Sequence, residues 1–154
     1  MSLTKRSTGD LVYEAVDANL ASGVMVIPST TATVSGLQGI KVAGDAAKNP
    51  LGASATAAVT EANRAAAEQT TDAQGWSVTS LAVPNATVTV YNDFVGLLTY
   101  TAVAVPFGAK LACAAAGAVR AWVTGDGADA LIGFCAQPGG VSSAGGLNLA
   151  RIRL

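Results

Sequence analysis

The sequence predicts a mainly β protein: a small barrel or sandwich of short strands carrying an internal repeat, one short Ala-rich helix and an extended N-terminal arm. Three observations point there. Short apolar or alternating runs recur along most of the chain, separated by Gly, Pro and Asn turns. Only residues 56–70 have a helical composition. Residues 42–55 lie without a gap over residues 123–136, 81 positions further on. Both copies obey Val-x-Gly-Asp-x-Ala, three free positions, an aliphatic residue, Gly, two free positions and Ala. That rule reads as a turn followed by a buried strand, built twice.

The elements follow in order. Residues 1–9 are small and polar and read as a flexible arm. Residues 11–16 suit a strand or a short helix. Residues 24–27 (Val-Met-Val-Ile) form an apolar run ending at Pro28, as a buried strand does. A Ser/Thr-rich connection leads to a strand at 39–42. In 56–69, Glu61, Arg64 and Glu68 are spaced to pair along one helix face, and Thr56 or Thr60 can cap its start. Strands are expected at 77–83, 87–91, 94–105, 109–114, 117–123 and 132–136. Residues 148–154 alternate, with Arg151 and Arg153 out and Ala150, Ile152 and Leu154 in. Ser22-Gly23-Val24-Met25-Val26 also matches Phe107-Gly108-Ala109-Lys110-Leu111, so the repeat extends upstream. The expected organisation is an arm (1–9) and a single β-rich domain (10–154). Its repeat halves are about 20–56 and 105–138, with a helical insertion at about 56–70. The two copies should form equivalent corners of one barrel or sandwich.

Composition limits what the protein does. Of 154 residues, 51% are hydrophobic and 12% charged, against about 25% charged in a typical soluble domain. So little charge protects a lone subunit poorly against association. Much of the surface is therefore expected to be covered by copies of the chain or by a partner. Nine basic residues balance ten acidic ones without clustering, which argues against nucleic acid. Mean hydropathy is +0.43. Yet every long uncharged run is broken by Pro, or by Gly with Ser, Thr and Asn, so no membrane helix is expected. Asp10, Glu14 and Asp17 stand where a secretory leader would be apolar, so none is expected.

The residues also argue against catalysis. The chain has no His, which removes Ser-His-Asp and Cys-His sets. Cys113 and Cys135 are separated and sit in apolar runs; they read as buried free thiols, and zinc is not expected. Asp126-Gly127-Ala128-Asp129 lacks the further oxygens and closing Glu of a calcium loop. No catalytic, metal or cofactor residues are assigned, and the chain is read as a non-enzyme. Gly44, Asp45, Gly52, Gly125, Asp126 and Gly133 are assigned as structural turn residues, the Asp side chains bonding nearby backbone N–H groups. Trp76 and Trp122 are assigned to core or subunit contact.

Residues 121–136 (Ala-Trp-Val-Thr-Gly-Asp-Gly-Ala-Asp-Ala-Leu-Ile-Gly-Phe-Cys-Ala) resemble the head decoration, or capsid cement, proteins of tailed bacteriophages. The shared grammar is a strand carrying Tyr or Trp, a Gly/Asp turn, then an aliphatic-Gly-hydrophobic strand. Ala121-Trp122, Asp126-Gly127-Ala128 and Ile132-Gly133 look like the corresponding part of the lambda-type family. Val88-Thr89-Val90-Tyr91-Asn92 looks like a strand of that group. Gly23-Val24-Met25-Val26 and the closing Ala150-Arg151-Ile152-Arg153-Leu154 look like the other large cement family. The resemblance implies a β-tulip-like fold and a homotrimer on the outer surface of the virion. It implies a major capsid protein as partner, clamped to stabilise the expanded shell. It also implies a capsid-contacting arm, here Ser2, Leu3, Thr4, Lys5, Arg6, Ser7 and Thr8. Competing readings are another virion component, such as a head fibre base or tail protein, and a carbohydrate-binding adhesin-like β-module.

Overall fold

The computed structural model describes residues 11–68, 70–71, 74, 77–78 and 86–154. The chain is mainly β. Its first half supplies β1 (Leu11–Ala15), β2 (Met25–Pro28), β3 (Gly39–Val42), β4 (Gly52–Ser54), α1 (Glu61–Glu68), β5 (Thr70–Thr71), β6 (Ser77–Val78) and β7 (Thr87–Tyr91). Its second half supplies β8 (Asp93–Thr99), β9 (Lys110–Cys113), β10 (Val119–Ala121), β11 (Leu131–Cys135) and β12 (Leu147–Arg153). Strands β1-β3-β2-β4-β7 close into a barrel, with β1 parallel to β3 and the other pairs antiparallel. Strands β10-β9-β11-β12-β8 form a second sheet. Its two edges meet at a parallel bridge between Tyr100 and Val119.

The two sheets carry the same hydrogen-bond map. Gly23 N–H donates to the Ser54 carbonyl and Gly108 N–H to the Cys135 carbonyl, each at 2.8 Å. Ala15 donates to Ala86 (2.9 Å) as Tyr100 donates to Gly146 (3.1 Å). Val16 donates to Ile40 (3.3 Å) as Thr101 donates to Val119 (3.0 Å), the same parallel closure. The repeat therefore runs from β1 to β7 and again from β8 to β12. This is wider than the 20–56 and 105–138 expected from residue identities. The outer strand pair, β1 with β7 and β8 with β12, repeats in pairing but not in sequence, so letters alone miss it. Of the barrel or sandwich expected to hold both copies, a single barrel does not hold them: the copies are equivalent parts of two sheets. Each sits in its own sheet.

The halves share a core. Met25, Ala43 and Ala53 of the first pack with Leu98, Tyr100, Leu111, Val119, Ile132 and Ile152 of the second. Tyr100 is fully buried, and its hydroxyl donates to the Leu149 carbonyl at 3.0 Å. A smaller cluster, including Tyr13, Val26, Ile40, Val88 and Val90, fills the closed barrel.

Element boundaries shift for local reasons. Of residues 11–16, Leu11–Ala15 form a strand, because Leu11 to Glu14 pair with β7. The helix begins at Glu61 rather than Thr56. Ala58 spends its N–H and C=O on Leu20 (2.9 and 2.7 Å), which holds the backbone extended there. The Thr60 hydroxyl then caps the helix by accepting from Asn63 N–H at 3.2 Å. Arg64 pairs with Glu61 at 3.1 Å. The strand expected over 94–105 stops at Thr99, and Ala104 has φ +58°. In β12, Ala150 and Ile152 face in and Arg151 and Arg153 face out, but Leu154 is exposed. Of the strand expected at 77–83, Ser77–Val78 is a strand and 79–83 lie outside the described residues.

Candidate interaction surface

Carboxylates are where chemistry would have to start, and those with placed partners serve the fold. Asp126 bonds locally: Val123 N–H donates to its Oδ2 at 2.9 Å. Arg120 grips the same carboxylate with both terminal nitrogens, each at 2.8 Å. Asp45, its equivalent in the repeat, sits in the expected turn, but its placed side-chain partner is a distant cation rather than a nearby backbone N–H. Its Oδ1 accepts from Arg120 Nε at 2.6 Å. The two repeated aspartates thus converge on one guanidinium and tie the first half to the second. Arg120 holds the Asp126 carboxyl down to about 2, helped by the Val123 amide. The Arg120 pKa is raised in return. Among the described residues no group of three or more His, Cys, Asp or Glu could hold a metal. Burial pushes the Cys113 thiol up to about 12, and both cysteines are free and buried.

The other singled-out residues divide. Gly44 and Gly125 sit in turns with open space beside them. Gly52 and Gly133 lie in strands β4 and β11, not in turns. A Cβ there would come within 2.2 Å of the Tyr91 carbonyl oxygen and 2.0 Å of the Arg151 carbonyl oxygen. They are glycines because a neighbouring strand passes too close for a side chain. Trp122 is half-buried against its own turn. Its Nε1–H donates to the Gly127 carbonyl at 2.8 Å, and the Lys110 ammonium lies 5.2 Å from its ring centroid. Trp76 and arm residues 2–8 lie outside the described residues.

Two surface features were not singled out from the sequence. The first is an apolar groove of about 480 Å³ where the halves meet. One wall is the outer face of β8 and β12, with Val95, Leu97, Leu147 and Leu149; Leu149 is paired with Leu97. The other is Ser22, Gly23, Tyr91 and residues 53–55. Among the described residues, no charged side chain lines it. A signal was present: Phe94-Val95-Gly96-Leu97-Leu98 is apolar on both strand faces, and only Phe94, Gly96 and Leu98 face the core.

The second is the loop 29–38, pinned by carboxylates at the end of β1. Glu14 is buried and accepts from Val34 N–H (3.0 Å), Ser35 N–H (2.8 Å) and the Ser35 hydroxyl. Asp17 accepts from the Ser29 and Thr31 hydroxyls at 2.7 and 2.5 Å. Burial alone would raise the Glu14 pKa; the Ser35 hydroxyl and the Val34 and Ser35 amides outweigh it and hold it below the usual value. The Thr31 and Ser29 hydroxyls lower that of Asp17. The corresponding connection in the second half, residues 114–118 between β9 and β10, is only five residues long. The longer loop is therefore an addition to the repeated scaffold.

No protein-family model matches the chain, and no curated protein matches it.

Proposed function

We propose that this protein is a decoration, or cement, protein of a tailed-phage head, binding the outside of the expanded shell and bridging major capsid subunits. The observation that carries the reading is the run from Ala121 to Ala136, whose Trp strand, Gly-Asp turn and Ile-Gly strand resemble that family. Other features support it. The low charge and the large hydrophobics left exposed, among them Val34, Phe107, Val123 and Leu147, suit a subunit that spends its life in contact with others. The Arg120–Asp45–Asp126 cluster and the Glu14 and Asp17 bonds commit acidic groups to fixing shape. An arm at residues 2–8 would add main-chain bonds to a capsid strand without needing charge.

The test is binding of purified protein to expanded heads, read as co-sedimentation and as a higher head-disruption temperature. Absence of binding to heads of any maturation state overturns the proposal. Deleting residues 2–9 should weaken binding while leaving the β fold intact; unchanged affinity removes the arm from the mechanism.

A further inference from the structure

We propose that the outer face of the second sheet docks a carboxylate-bearing segment of a partner protein, gripped by Lys110 and Arg151 on either side of Phe134. Three observations carry this. First, the strand register lays five side chains in one row across the sheet. Trp122 N–H donates to the Lys110 carbonyl at 2.9 Å. Lys110 stands opposite Phe134, Phe134 opposite Arg151, and Arg151 opposite Val95. Directly paired residues share a sheet face. Trp122, Lys110, Phe134, Arg151 and Val95 therefore run side by side, roughly 5 Å apart. Phe134 is 40% and Val95 42% exposed, and Lys110 and Arg151 are exposed with them. Aromatic residues and Arg are what protein interfaces concentrate.

Second, cations left without an anion gather here. Lys48 pairs with Asp129 (3.3 Å), Arg64 with Glu61 (3.1 Å), and Arg120 with Asp45 and Asp126 (2.6 and 2.8 Å). Lys41 adds its charge to the Thr31 and Ser29 hydroxyls at Asp17. Among the described residues, Lys110, Arg151 and Arg153 have no carboxylate partner. Arg153 projects beside Arg151 on β12. Asp93, opposite Arg153, is the only carboxylate on the five strands of this sheet. The chain as a whole has a net charge of −1, so the positive excess is local and calls for an acidic partner.

Third, the row is held in place, and its geometry selects among anions. The Lys110 ammonium lies 5.2 Å from the Trp122 ring centroid, and Trp122 Nε1–H is fixed on the Gly127 carbonyl. A side chain already held over a ring loses less freedom on binding than a free one. Lys110 also occupies a face of that ring, which leaves Phe134 as the open aromatic of the row. Stacked bases would have no platform, and three cations are too few to neutralise a nucleic-acid backbone. A protein segment with carboxylates roughly 10 Å apart around an apolar side chain meets both cations and Phe134 together. Its apolar continuation would lie over Leu97 and Leu149, the next pair along the same face. The face selects this chemistry whether or not the partner is a capsid subunit.

The probe is a peptide of three Glu-Ser-Leu-Ser repeats, which when extended places Glu and Leu alternately on one side, roughly 7 Å apart. Its control has Gln for Glu, and a single-stranded oligo(dT) tests the nucleic-acid alternative. Binding is read from amide shifts in the NMR spectrum of the full chain. The Glu peptide should shift Lys110, Phe134 and Arg151, and should weaken as salt is raised. Lys110→Glu and Arg151→Glu should each raise its dissociation constant at least tenfold, and the Gln peptide should bind at least tenfold more weakly than the Glu peptide. Circular dichroism checks the fold of each variant; where charge reversal disturbs it, Lys110→Gln and Arg151→Gln replace the pair. No binding of the Glu peptide up to about 1 mM, equal binding of the Glu and Gln peptides, or variants that bind like wild type overturns the proposal. Tighter binding of oligo(dT) that the variants abolish overturns it in favour of single-stranded nucleic acid. Head binding is measured separately, so failure of this contact and failure of the capsid reading are distinguishable.

Discussion

Replacing Gly133 by Ala tests the closest contact in the fold. The new Cβ would sit 2.0 Å from the Arg151 carbonyl oxygen, where ordinary contact begins at 3.4 Å. The backbone there has φ +155°, which L side chains rarely adopt. Holding a non-glycine residue in such a conformation costs about 1–3 kcal/mol. Forcing β11 away from β12 adds an overpacking cost of about 1–3 kcal/mol. The sum, about 2–6 kcal/mol, is a large part of the 5–15 kcal/mol that holds a typical domain together. With a urea slope of about 1–3 kcal/mol per molar, the midpoint should fall by roughly 1–3 M. Gly52→Ala should behave alike, because its Cβ would meet the Tyr91 carbonyl oxygen at 2.2 Å. Gly125→Ala is the control: nothing lies within 4 Å and its φ is not positive, so a change within about 0.5 kcal/mol is expected. Chemical denaturation followed by circular dichroism measures all three. A Gly133→Ala midpoint within about 0.3 M of wild type would falsify the close-approach argument.

Three further outcomes are expected. Arg120→Leu leaves Asp126 and Asp45 without their cation and should lower the urea midpoint by roughly 0.5–1 M at neutral pH. The folded Asp126 carboxyl titrates at about 2 against 3.8 ordinarily. It binds fewer protons folded than unfolded, so its contribution is complete above about 4 and is lost as pH falls towards 2. Wild type should lose stability across that window, and Arg120→Leu should lose less; identical pH profiles would refute the assignment. Glu14→Gln should speed hydrogen exchange of the Val34 and Ser35 amides roughly 10- to 100-fold, and unchanged exchange would mean that Glu14 does not hold the loop. Cys113 and Cys135 should resist a thiol reagent at about pH 8 in the native protein and both react after unfolding, whereas prompt native labelling would contradict their burial.

The β character, most strand positions, the inward Ala150 and Ile152, and the duplication are legible in the residues before any fold is known. These follow from period-two patterning and from glycines whose spacing repeats, both local in sequence. Gly52 and Gly133 were legible as equivalent, but the cause of their equivalence was not, because the atoms that forbid a side chain belong to Tyr91 and Arg151 on other strands. Asp45 shows the same limit. Its letter matches Asp126, yet its partner Arg120 lies 75 residues away, so a shared turn rule could not show that both reach one guanidinium. Ala58, rich in helical propensity, is held extended by Leu20, a contact that outweighs composition. The repeat's full extent, the second sheet, the groove and the pinned loop were decided by tertiary structure, because each depends on which backbone lies beside which.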